Sequence, residues 1–230
     1  MAGVMTLEGQ RAAGRVLRGG VLLVPLLLAA WWLYQRPTPR ASRFDEALDR
    51  AVAPVMQQRE VQQKLGAVSA TQAQALAREL AERSVPYLGP RDLELWAATR
   101  LRVAQASRPA CARLWKGGKD ELLRASIAEL EPEVLDDYTQ MLARGLALRL
   151  ERKPPPGLVP GVIDRVFGLV AEQLPPEARV RFQADVKRAD VSDARACELF
   201  LTLSRGAAQL DDALRVDFYR ALAGALEANP

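Results

Sequence analysis

Five carboxylates crowd into one short stretch: Glu129, Glu131, Glu133, Asp136 and Asp137. Side chains of this type could ligate a divalent cation or serve as a general acid. Their spacing points to a plainer role. Glu131 and Glu133 flank Pro132, and acidic residues around a first-turn proline complement the positive end of a helix dipole. Asp136 and Asp137 follow about one turn later, and Asp211 and Asp212 repeat the pattern further on. The run Lys116-Gly117-Gly118-Lys119 loosely suggests a phosphate loop, but Asp120 follows where Ser or Thr would hold a metal. The glycine pair reads instead as a helix C-cap.

Two cysteines, Cys111 and Cys197, lie 86 residues apart, without the spacing of metal ligands. In an oxidising compartment they could form a disulfide. Otherwise each is a small buried residue on a helix face. Four arginines, Arg100, Arg102, Arg108 and Arg113, could make an anion or headgroup patch. Arg100 and Arg102 are two apart and so point to different helix faces, which predicts a solvated face with local acidic partners. Trp96 reads as a core anchor, at helical spacing with Leu93 and the stem of Arg100.

Several chemistries are excluded outright. The chain has no histidine, so Ser-His-Asp and Cys-His mechanisms and imidazole metal sites are out. No dinucleotide-binding, P-loop, nucleophile-elbow or S-x-x-K motif occurs. We therefore assign no catalytic residue, cofactor or metal ligand. Charge removes nucleic acid as a partner. Residues 1–41 hold five arginines (Arg11, Arg15, Arg18, Arg36, Arg40) against Glu8, which leaves 27 basic and 27 acidic groups in 42–230. The pI of 9.3 comes from one end of the chain, not from a basic folded surface.

That end has its own logic. Residues 19–35, GGVLLVPLLLAAWWLYQ, are 17 uncharged residues bracketed by Arg18 and Arg36. The length is near the lower limit for a membrane-spanning helix, and snorkelling arginines extend its reach. Trp31, Trp32 and Tyr34 suit the headgroup layer. Bulky residues stand where a signal peptidase needs small ones, so the segment reads as an uncleaved single-pass anchor in membrane lipid. Arginines flank both ends, but Arg15 and Arg18 are nearest and unmixed with acids, which places the amino terminus in the cytoplasm. The body is then expected outside it, on the periplasmic side of a cell inner membrane.

The positioning elements are all helices. Ala, Leu and Arg are abundant, and no stretch alternates apolar and polar residues as a strand would. The organisation reads as a basic tail (1–18), the anchor (19–35), a Pro/Arg linker (36–42), a stalk-like helix (43–67), a helical unit (68–152), a Pro-rich linker (153–160) and a second helical unit (161–230). Proline and glycine punctuation predicts helices at about 71–83, 90–106, 109–116, 119–130, 132–151, 161–173, 176–189, 191–206 and 210–227. The two units echo each other. At an offset of 86, Trp96, Ala110, Cys111 and Leu114 fall on Phe182, Ala196, Cys197 and Phe200. At an offset of 80, Asp137-Tyr138 and Leu142-Ala143 fall on Asp217-Phe218 and Leu222-Ala223. Stacked helical repeats bury each other's apolar faces in this way.

An anchored helical body without catalytic signatures is expected to act as a protein-interaction or assembly module, with a partner protein the sequence does not identify. The competing readings are a membrane-anchored enzyme relying on carboxylates and an anchored periplasmic chaperone.

Overall fold

Capping side chains and first-turn prolines set the element boundaries of this body. In a computed structural model the described residues are 39–228, apart from 60, 63–68, 118–120, 152–154, 156, 158 and 189. They form ten α-helices and a 3₁₀ turn, with no strand among them. The helices are α1 (Pro39–Met56), α2 (Ala70–Glu82), α3 (Pro90–Ala106), α4 (Arg108–Lys116), α5 (Glu121–Ala128), α6 (Pro132–Leu150), α7 (Val162–Glu172), α8 (Pro176–Asp185), α9 (Asp193–Ala207) and α10 (Asp212–Ala228). The 3₁₀ turn, Val85–Tyr87, lies between α2 and α3.

Local chemistry accounts for the starts. Ser69 and Gln72 form a reciprocal capping box at α2. The Ser107 hydroxyl accepts from the Ala110 N–H at α4 (3.3 Å), and Asp211 accepts from the Leu214 N–H at α10 (2.9 Å). Each satisfies a backbone donor that the helix itself leaves unpaired. Pro90, Pro132 and Pro176 open α3, α6 and α8, where a missing N–H costs nothing. Gly117 ends α4 at φ 76°, a conformation that side chains with a Cβ rarely adopt.

Two expectations about the start of the body need correction. Helix α1 begins at Pro39, inside the expected linker 36–42. Nor does 43–56 stand off as a stalk: Phe44, Leu48 and Val52, at 0–1% exposure, are among the most buried side chains of the body. Their i, i+4, i+8 spacing gives α1 an apolar stripe, and α5 and α6 cover it. The anchor at 19–35, with Arg18, Trp31, Trp32, Tyr34 and Arg36, lies outside the described residues. Among those described, no helix is long and apolar enough to cross a membrane.

The buried apolar residues fall into two clusters. One is built on α1, α3 and α6 around Phe44, Leu48, Leu93, Met141, Leu142 and Leu146. The other joins α7, α8 and α9 around Val166, Val170, Phe182, Leu199 and Leu203, together with Phe218 of α10. Helices α9 and α10 serve both, because Phe200, Val216 and Ala223 turn towards the first cluster. Close contact between α7 and α9 needs Gly206: a Cβ there would come within 2.5 Å of Val170 Cγ2. Helices α4 and α9 run antiparallel. Their register is marked by the Cys111–Cys197 disulfide (Cα–Cα 4.9 Å) and the Lys116–Asp193 ion pair (2.6 Å).

Candidate ligand-binding cleft

Helices α3, α9 and α10 meet along faces that do not fill the space between them. The result is a cleft of about 400 Å³. Each helix contributes at helical spacing: Ala97, Arg100 and Leu101 from α3; Phe200, Leu203 and Ser204 from α9; Phe218, Tyr219 and Leu222 from α10. The volume lies in the range of small-molecule sites, and the mix of mostly apolar walls with few polar groups is typical of them.

Arg100 is the unusual member. The expectation of solvated arginines holds for Arg102, Arg108 and Arg113, which are exposed, but not for Arg100, which is 9% exposed. The local reason is Trp96, one turn earlier on α3, over whose ring the guanidinium carbon sits 4.6 Å from the centroid. Trp96 and Leu93 are themselves buried, so a side chain on the same face is carried inward. The Arg100 Nε is buried without a hydrogen-bond partner. Burial pushes the guanidinium below its ordinary pKa, with the neighbouring Tyr138 acting in the opposite direction. Arginine nonetheless stays protonated in proteins, so the charge persists.

The other cation lining the cleft is already neutralised. Arg215 pairs with Glu94 and Asp212, each at 2.7 Å, and donates to the Leu210 carbonyl at 3.1 Å. Its pKa is raised, first by the hydrogen bond it donates to Glu94, while burial pulls the other way. Beside the cleft, burial pushes Tyr138 up to about 12; Arg100 opposes this and Glu82 adds to it.

A pH prediction follows from Tyr138. Its folded pKa lies above the ordinary value of 10.0, so folding favours the neutral phenol. The corresponding stability is complete below pH 10 and is lost as pH rises through about 12. A difference of two pKa units corresponds to about 2–3 kcal/mol. Denaturant unfolding at successive pH values should show the native chain losing about that much more than Tyr138→Phe across this window. Parallel losses in the two proteins would mean that Tyr138 ionises freely.

The remaining candidates do not assemble into a second site. Glu131 precedes Pro132 at the α6 start and Glu133 lies in the first turn, while Asp136 faces Arg50 at 3.9 Å. Among the described residues no three His, Cys, Asp or Glu side chains could share a metal ion. Gly118, Lys119 and Asp120 lie outside the described residues. Cys111 and Cys197 are joined to each other, away from the cleft walls. The cleft therefore offers shape, apolar surface and one uncompensated positive charge. In comparisons with known proteins the chain matches no family model, no curated protein and no solved structure.

Proposed function

We propose that this chain is a single-pass membrane-anchored binding module, held in the inner membrane by residues 19–35 with its helical body on the periplasmic side. It works by holding an apolar group of a partner or ligand in the cleft between α3, α9 and α10, not by catalysis. The observation that carries this reading is the cleft itself, open, mostly apolar and formed by three helices that lie within the single compact body of residues 39–230. The Cys111–Cys197 disulfide supports an oxidising compartment. A duplicated body accords with the pairing of the two cysteines and with the burial of Trp96 and Phe182, and of Tyr138 and Phe218, at corresponding positions.

Two measurements test the reading. Full-length protein should remain in the membrane pellet through high salt and carbonate, whereas a chain beginning at Ser42 should be soluble. Recovery of the full-length chain in the soluble fraction removes the anchor. In lipid discs, the neutral apolar dye N-phenylnaphthylamine should brighten with saturation at one site per chain. Ser204→Trp, which fills the cleft from α9, should weaken the dye by at least about tenfold, the cost of losing a well-fitted apolar contact. Dye binding that ignores Ser204→Trp would remove the cleft as the binding site.

A further inference from the structure

We infer that the occupant of this cleft is a fatty-acid-like ligand, its single carboxylate seated on Arg100 and its apolar chain lying against α9 and α10. The inference rests on the reading of the cleft as the binding site and adds the chemistry of what fills it.

Charge sets the head group. Arg100 makes no hydrogen bond to any described residue; its guanidinium sits over the Trp96 ring at 4.6 Å, and its buried Nε has no partner. A buried charge held only by an aromatic face is poorly compensated. The ring takes no hydrogen bond in the ring plane of the kind a carboxylate accepts, so the guanidinium keeps donors for the paired bonds by which arginine holds a carboxylate. Arg215 cannot supply a second charge, because Glu94 and Asp212 already neutralise it. One free positive charge among the described cleft residues matches a monoanion and leaves half of a phosphate dianion uncompensated.

The walls set the tail. Phe200, Leu203 and Leu222 offer no hydrogen bonds, and the uncharged polar side-chain groups lining the cleft are the Trp96 indole N–H, the Ser204 hydroxyl and the Tyr219 phenol. A peptide carries a donor and an acceptor at every residue, and each needs a partner when buried. An acyl chain carries none. The space of about 400 Å³ suits a medium-length chain better than a folded partner segment.

The test uses the full-length chain in lipid discs, with empty discs as the blank and displacement of N-phenylnaphthylamine as the readout. At neutral pH, dodecanoate should displace the dye at a concentration at least about tenfold lower than methyl dodecanoate, since a charge-assisted pair is lost in the ester. Arg100→Met should equalise acid and ester, and Arg100→Lys should keep part of the preference. The acid–ester comparison on the unaltered chain decides the matter even if Arg100→Met does not fold. Equal displacement by acid and ester overturns the inference while the cleft remains a binding site. It is overturned equally if neither displaces a dye that Ser204→Trp removes. Tighter displacement by N-acetyl-trileucine than by dodecanoate overturns the acyl tail in favour of a peptide carboxyl terminus. Loss of Ser204-sensitive dye binding altogether defeats the underlying reading instead.

Discussion

Reducing the Cys111–Cys197 disulfide is expected to cost the folded body about 4–5 kcal/mol. The bridge closes a loop of 86 residues. In the chain-entropy model a closed loop of this length removes freedom mainly from the unfolded chain, worth about 4–5 kcal/mol at room temperature. That is a large share of the roughly 5–15 kcal/mol that stabilises an ordinary domain. The folded side is prepared for the bridge. Ala110 and Ala112 flank Cys111, Ala196 precedes Cys197, and all three alanines are 0–1% exposed. Small neighbours let α4 and α9 approach until the two Cα atoms are 4.9 Å apart. Cys111 is fully buried while Cys197 is only partly so, which leaves reductant one side of approach once the helices loosen. Urea unfolding with and without thiol reductant should show the loss, and Cys111→Ala combined with Cys197→Ala should abolish the response to reductant. Two alkylatable thiols in protein taken from intact cells, trapped before denaturation, would show that the bridge does not form there and would undercut the periplasmic placement.

Local chemistry explains why so many helix boundaries are legible in the sequence. Pro90, Pro132 and Pro176 act within one turn of their own position, so the expected starts at 90, 132 and 176 coincide with those observed. Gly117 similarly stops α4 one residue after Lys116. Capping by Ser107 shifts the α4 start to Arg108, ahead of the proline expected to open it. Where tertiary packing decides, the sequence says less. The apolar stripe of α1 is visible as Phe44, Leu48 and Val52, but its cover comes from α5 and α6, some eighty or more residues later. The expectation of a stalk therefore misplaces this helix. Arg100 shows the same limit. Its spacing from Trp96 and Leu93 puts the stem on a buried face, yet the absence of an acidic partner depends on what α9 and α10 bring from across the fold. Carboxylate partners for Arg215 arrive from α3 and from its own helix; among the described residues none arrives for Arg100. The cleft is a three-helix property with no linear motif.

Replacing Phe218 by alanine should destabilise the second cluster by about 3–5 kcal/mol. The ring is 1% exposed, lies 5.8 Å from the Tyr219 ring, and forms one wall of the cleft. Its helix stands between the two clusters, since Val216 and Ala223 pack in the first and Phe218 and Ala221 in the second. Removing the ring therefore opens a space bordering both, and neighbours that already flank a cleft have little freedom to collapse into it without closing the cleft as well. Phe218→Leu keeps most of the volume and should cost less than about 1.5 kcal/mol, so the pair separates cavity formation from loss of an aromatic contact. Tyr138→Ala should be comparably costly: Tyr138 is 6% exposed and its ring lies 6.5 Å from that of Phe44. Denaturant midpoints and slopes measured with the disulfide intact give these differences against one reference. A cost below about 1 kcal/mol for both alanine variants would place the two rings at the surface and require α6 and α10 to pack through other faces.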